Sequence, residues 1–214
     1  MENLQEIFKN FNKHLLEDER PSEYFNSIAE TELFEKVYPL TMFKDLMKTP
    51  QSPLHHSEGN VWNHTMLVID EASKRKDKSE DSRVFMWSAL LHDLGKAPTT
   101  KMRKGKITSY DHDKVGKELS VDFLTEFGCS EDFIEKVSYL VRWHMQTLFV
   151  VKDMPFANIK DMISEGNFKE VALLSLCDRL GRGGMTSERI RLENNNVSTF
   201  IEKCKRFTRK PSKK

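Results

Sequence analysis

Six side chains able to ligate a divalent cation, His64, His92, Asp93, His112, His144 and Asp178, are scattered along a chain of 214 residues. Five of them recur on stripes that otherwise belong to a core. At helical spacing the stripes read Val61, His64, Leu67, Val68; Phe85, Ser88, Ala89, His92; His112, Val115, Gly116, Leu119; Val137, Leu140, Val141, His144; and Val171, Leu174, Ser175, Asp178. Asp93 follows His92 directly. Burying an imidazole or a carboxylate is costly unless something pairs with it. One such residue is ordinarily a hydrogen-bonded core histidine. Five would need five separate solutions, whereas a single metal centre satisfies them together. Nitrogen and oxygen donors without thiolate suit Mn, Fe, Co, Ni or Mg better than structural zinc, so a divalent metal is the expected cofactor.

Cations surround these positions. Lys96 follows the His92-Asp93 pair, with Gly95 between as an expected helix cap; Arg179 and Arg182 flank Asp178, and Arg142 lies two residues before His144. Such a collection around a metal suits an anionic substrate, most simply a phosphate ester. Lys101, Arg103, Lys104 and Lys106 add positive charge in one short loop; they fit a solvated surface as well as they fit the substrate. Cys177, beside Asp178, is expected to pack rather than react.

Long helices must carry this set. Glycine and proline number only 9 and 7, and the periodicity predicts helices at 2–17, 22–37, 41–48, 61–76, 82–92, 113–127, 131–145, 153–164, 167–179 and 186–207. The single strand signal is KMRKGKITSY, with Lys104-Gly105 as a turn. The expected fold is an all-α irregular helical bundle with one short β-hairpin near 101–110. Pro50 and Pro53 divide an N-terminal helical arm (1–50) from a core (51–185), and a C-terminal helix and basic tail (186–214) complete a single compact domain.

Composition narrows the class. Hydrophobic residues make up 38% and charged residues 31%, as in a globular chain rather than a disordered one. No run approaches a membrane span, and the acid-bearing N-terminus is unlike a targeting peptide. Cys129, Cys177 and Cys204 are odd in number and far apart, so a reduced, cytoplasmic protein is expected. The last twelve residues hold seven Lys or Arg and no acid. Such a tail suits RNA or simply a solvated end.

The order His64, His92-Asp93, Asp178 resembles the H…HD…D signature of the HD-domain metal-dependent phosphohydrolases. Around it, HHSEGNVWNHTMLVIDEA (55–72), ALLHDLGKAPTT (89–100), ITSYDHDKVGKELS (107–120), VRWHMQ (141–146) and LLSLCDRLGRGG (173–184) are most similar to the HD domain of some bacterial tRNA CCA nucleotidyltransferases. The resemblance covers roughly residues 50–185. It lacks a Gly-Ser segment followed by Asp-x-Asp, the nucleotidyltransferase head, so a hydrolase module without nucleotide addition is expected. The resemblance implies His64, His92, Asp93 and Asp178 as metal ligands. It places His112 and His144 either on a second ion bridged by Asp93 or against the phosphate. It implies hydrolysis of a phosphomonoester or phosphodiester of a nucleotide or RNA end by metal-activated water, in the manner of a 2′,3′-cyclic phosphodiesterase or nucleotidase. Asp93 would orient the water or accept its proton, and Lys96 would stabilise phosphoryl charge. Arg179, Arg182, Arg142, His56 and Glu58 are expected to bind substrate, the last two equally compatible with turn formation. A signalling-nucleotide hydrolase and a non-catalytic RNA-binding HD module are the alternatives.

Overall fold

The structure is a computed structural model, and it describes residues 4–54 and 56–209. His55, the start of the predicted first helix and the last five residues of the basic tail lie outside the described residues. The chain is all-α apart from one two-stranded hairpin among those residues. Four helices open it: α1 (Leu4–Glu17), α2 (Pro21–Ala29), α3 (Leu33–Lys36) and α4 (Thr41–Lys48). Then come α5 (Val61–Ser73), α6 (Ser82–Leu91) and α7 (Lys96–Thr99), followed by the hairpin β1 (Thr100–Arg103) and β2 (Lys106–Ser109). The remainder is α8 (His112–Glu126), α9 (Glu131–Trp143), α10 (Gln146–Val151), α11 (Ile159–Glu165), α12 (Phe168–Leu180) and α13 (Ser187–Arg209).

The centre of the bundle is α6. Asp81 caps its first turn by accepting from the amides of Arg83 and Val84. Every residue from Val84 to Leu91 is then buried. An element apolar on all sides must be enclosed on all sides, and α1, α5, α9 and α12 pack around it. Trp87 is the pivot: its ring stacks on Phe8 at 4.7 Å, and its indole N–H donates to Asn12 across 3.2 Å. The first four helices therefore share one continuous core with the rest. Phe11, fully buried, meets Phe25 edge-on at 4.9 Å and joins the same aromatic cluster. Phe11→Ala should destabilise the whole bundle by about 3–5 kcal/mol, read as one cooperative shift in chemical denaturation; a separate early transition of the N-terminal helices would contradict a shared core.

Several boundaries differ from the sequence expectation. The predicted helix 22–37 is two helices, because Thr31 turns its hydroxyl back to the Ile28 carbonyl and accepts from the Leu33 amide. The predicted helix 153–164 begins only at Ile159, where Asn158 caps by accepting from Asp161; Pro155 upstream disfavours a helical residue before it. The short helices α7 and α10 were not expected. Leu67, placed on the apolar stripe of α5, is 39% exposed. The inward face of α5 is carried by Val61, His64, Thr65, Val68 and Ile69 instead.

Candidate metal centre

The three imidazoles His92, His112 and His144 stand at helix ends, where backbone carbonyls are free to hold them. His92 is the C-terminal cap of α6, His144 that of α9, and His112 opens α8 after Asp111 in a left-handed conformation (φ 59°). Each ring pairs its Nδ1 with the carbonyl three residues back: His92 with Ala89 at 2.8 Å, His112 with Ser109 at 2.8 Å, His144 with Val141 at 2.7 Å. A carbonyl can only accept, so Nδ1 carries the proton and each Nε2 presents a lone pair. That is the way metal-ligating histidines are commonly oriented.

His64 is held differently. Its Nδ1 lies 3.2 Å from the Gly181 carbonyl and 3.1 Å from Glu58 Oε1, two acceptors that place a proton on Nδ1. Gly181 makes this possible by close approach. A Cβ there would fall 2.6 Å from Val68 Cγ2 and 2.8 Å from the Val68 backbone, so only glycine lets the end of α12 lie on α5. The approach also sets Asp178 Oδ1 3.0 Å from His64 Nε2.

All these atoms converge on Asp93. Its Oδ2 lies 3.2 Å from His92 Nε2 and 3.7 Å from His64 Nε2; its Oδ1 lies 3.6 Å from His112 Nε2 and 3.8 Å from His144 Nε2. Among the described residues, both Asp93 oxygens and His92 Nε2 are buried without a hydrogen-bond partner. The Lys96 ammonium sits 2.7 Å from Oδ2, outside hydrogen-bonding alignment, while it donates to Gln51 Oε1 at 2.7 Å. His112 Nε2 faces His144 Nε2 across 3.2 Å. Two lone pairs at that distance repel unless a cation or proton lies between them.

The electrostatics favour a cation over a proton at that pair. Burial, with His112 and His92 alongside, pushes the pKa of His144 down to about 4, and burial lowers that of His112 as well. At His64 burial acts downward too, but the bonds to Asp178 and Glu58 outweigh it and the net shift is upward. Burial opposes the charge on Asp93; the neighbouring His92 and Lys96 overcome it and hold the carboxyl well below the usual carboxylate range. Asp178 is held low in the same way, by His64 and Arg182 against burial. The ionised Asp93 and Asp178 carboxylates with the neutral rings of His112 and His144 are donors a divalent cation requires, and a cation would also displace the proton shared between His64 and Asp178. Among the described residues three ligand triplets are each compact to within 4.8 Å, and two of them share Asp93: His64, His92 and Asp93, and Asp93, His112 and His144; the third is His56, Glu58 and His64.

The HD domain family model matches residues 61–182, which contain every one of these ligand-type residues. The chain belongs to the HD domain family. Relatives of this HD domain include a Multifunctional CCA protein of Actinobacillus pleuropneumoniae serotype 5b, 35% identical over 83 residues, which are 39% of this chain and 20% of the relative. One from Halorhodospira halophila is 44% identical over 54 residues, 25% of this chain and 12% of that protein. The A-adding tRNA nucleotidyltransferase of Deinococcus radiodurans is 30% identical over 101 residues, 46% of this chain and 22% of the relative. The chain thus matches about a fifth of the length of the first of these relatives.

Over the HD centre opens a cavity of about 190 Å³, walled by Gln51, Ser52, His56, Lys96, Ile107, Ser109, Met145 and Arg182, with Asp93, His112, His144 and Asp178 at its base. Arg182 brings a buried Nε with no hydrogen-bond partner. Two of the expected substrate-binding arginines are not on this wall. Arg142 is bonded to Asp113 and lies 4.2 Å over the Trp143 ring. Arg179 donates from Nε and Nη2 to Glu193 Oε1 at 3.1 and 3.0 Å. Each is held by a carboxylate from another helix, a partner invisible to spacing along its own helix. His56 is on the wall, but Glu58 stands behind His64, bridging the His56 ring (2.7 Å) and the Gly183 amide (3.1 Å). Gln51 was missed by the sequence reading, since only the folded chain brings it to Lys96. Cys177 is fully buried, and burial raises its thiol to about 12, consistent with packing.

Glu58→Gln keeps the shape but weakens the hold on His64. Metal affinity, measured by calorimetric titration, should fall about 10–100-fold without a large change in melting temperature. An unchanged affinity would show that Gly181 alone orients the ring.

Proposed function

We propose that this HD domain is a divalent-metal-dependent phosphohydrolase acting on a phosphomonoester or phosphodiester of a nucleotide or RNA end. The observation that carries the reading is that both Asp93 oxygens and His92 Nε2 are buried with no hydrogen-bond partner among the described residues, with His112 Nε2 and His144 Nε2 facing each other beside them, at the base of a cavity with a cationic wall. His64, His92, Asp93 and Asp178 would hold one ion, and Asp93 with His112 and His144 a second, or else the two histidines would meet the phosphate. Mn, Fe, Co, Ni or Mg suit these donors. When bound, such an ion supplies Lewis acidity and lowers the pKa of water from near 16 towards about 7.

The chain's own groups do the rest. Lys96 Nζ and the Arg182 guanidinium face the cavity and would offset charge gathering on the phosphoryl oxygens. Asp93 would orient the attacking water or accept its proton. Ile107 and Met145 supply the apolar part of the cavity wall. RNA is favoured as the source of the phosphate by relatives whose names refer to CCA and to tRNA. No described helix is long and apolar enough to cross a membrane.

The test is a hydrolysis screen with Mn or Co, using nucleoside 2′,3′-cyclic phosphates, nucleoside monophosphates and a cyclic dinucleotide as probes. Turnover of the first or second group is expected, with Arg182→Ala losing about 10–100-fold in kcat/KM. Turnover confined to the cyclic dinucleotide would move the reading to a signalling hydrolase. Tight RNA binding with no turnover of any probe would make the protein a binding module.

A further inference from the structure

The hairpin beside the cavity is built unlike the rest of the surface. Its register, with Thr100 opposite Ser109 and Met102 opposite Ile107, places these four on one face, because side chains alternate along a strand. Ile107 and Ser109 wall the cavity. Met102 is therefore on the cavity side of the hairpin, and it is 68% exposed. The other face carries Lys101, Arg103, Lys106 and Thr108. Arg103 lies 4.8 Å over the ring of Tyr110, itself 62% exposed, and donates to Thr108 Oγ1 at 2.6 Å. Lys104 occupies the turn.

Nothing within the described residues balances this charge. From Thr100 to Tyr110 the chain has four cations and no acid, and none of Lys101, Arg103, Lys104 or Lys106 has a carboxylate within ion-pair distance among those residues. Arg103 and Lys106 are paired directly across the two strands, an arrangement that destabilises a hairpin. Two isolated strands are marginal to begin with. The exposed Tyr110 ring, backed by Arg103 on the face that carries Lys101 and Lys106, is the kind of surface on which unpaired bases stack while phosphates meet the cations, and Met102 is exposed on the opposite, cavity-side face. The cavity points the same way. At about 190 Å³ it is smaller than the roughly 300 Å³ at which pockets begin to enclose a whole ligand. On the phosphohydrolase reading it would hold the reacting phosphate, and the remainder of the substrate would leave over its rim.

We propose that the β1–β2 hairpin is the docking tab for a single-stranded RNA whose phosphorylated end enters the cavity. Met102 would pack on the nucleoside nearest the rim, Tyr110 would stack on a further base, and Lys101, Lys104 and Lys106 would engage the intervening phosphates. A duplex is disfavoured because its bases are not free to stack on side chains. The proposal rests on the phosphohydrolase reading for the choice of RNA end, but its recognition step is separate from turnover.

The experiment is fluorescence anisotropy of 5′-fluorescein octauridylate with the full chain over a salt series. Charge reversal at Lys101→Glu, Lys104→Glu and Lys106→Glu together should weaken binding at least about tenfold and flatten the logarithmic salt slope by about two, at roughly 0.7 per lost contact. Tyr110→Ala should weaken binding by about tenfold and leave the slope in place. Both proteins should keep the wild-type melting temperature and metal content. Affinity within twofold of wild type in both would overturn the proposal, as would tighter binding of the matching DNA strand. Competition by polyglutamate equal to that of the RNA would instead assign the hairpin to an acidic polypeptide. Lost RNA affinity in a protein that hydrolyses no probe would leave the tab standing and remove the hydrolase. Probe hydrolysis with RNA affinity unchanged in the variants would do the reverse.

Discussion

Asp93→Asn is expected to give a folded protein that takes up no divalent metal and has lost at least about 1000-fold in hydrolysis, the several kcal/mol of charge stabilisation a metal contributes. The argument is geometric. Asp93 is the one residue whose two oxygens reach both histidine groups, His64 and His92 through Oδ2, His112 and His144 through Oδ1. An amide keeps the volume but puts N–H groups against imidazole lone pairs, satisfying them without a cation. Wild-type protein should therefore gain stability on adding Mn or Co, by about 2.7 kcal/mol at a hundred times Kd, while Asp93→Asn should gain none. Metal content by mass spectrometry and paired melting curves decide it. A variant that retains metal, or a wild type whose melting temperature ignores every divalent ion, would remove the metal centre.

Gly95→Ala should be almost as damaging, though it removes no functional group. A Cβ at Gly95 would lie 2.0 Å from the His112 carbonyl oxygen and 2.5 Å from the Gly116 amide nitrogen. Both are backbone atoms of α8, so no side-chain rotation relieves the overlap. Gly116 in turn approaches the Gly95 nitrogen, where a Cβ would come within 3.4 Å. The paired glycines let α8 rest directly on the turn that carries His92 and Asp93, and that contact brings His112 to the site. Pushing α8 away should cost about 3 kcal/mol or more. In a chain of this size that lowers the melting temperature by roughly 6–12 °C. Metal affinity should fall as well, because His112 recedes from Asp93. Calorimetric melting with metal titration checks both. Wild-type values for the two quantities would mean that α8 is not seated on this turn.

These two variants mark different kinds of legibility. Asp93 could be read from the chain because a carboxylate ending a run of buried apolar residues demands a partner, and four other segments offered one at core spacing. The role of Gly95 could not. The sequence suggested a helix cap that frees the chain to turn, yet the residue adopts an ordinary helical conformation (φ −67°), and its value lies in what approaches it from twenty residues away. The same divide separates the cations. Lys96 is three residues from Asp93 and reaches it along its own turn, whereas Asp113 and Glu193, which hold Arg142 and Arg179, come from other helices.

Sequence alone determined the helical class and the hairpin and singled out the six His and Asp residues that the fold brings together, since hydrophobic periodicity is a local property and a polar residue on an apolar stripe breaks it visibly. Tertiary structure decided which carbonyl orients each ring, which arginines are already held by carboxylates, and that Gln51, Ile107 and Met145 wall the cavity. Those outcomes depend on distances between segments remote in the chain. Such distances are set by how closely backbones can pack at Gly95, Gly116 and Gly181, and no pattern within one segment records them.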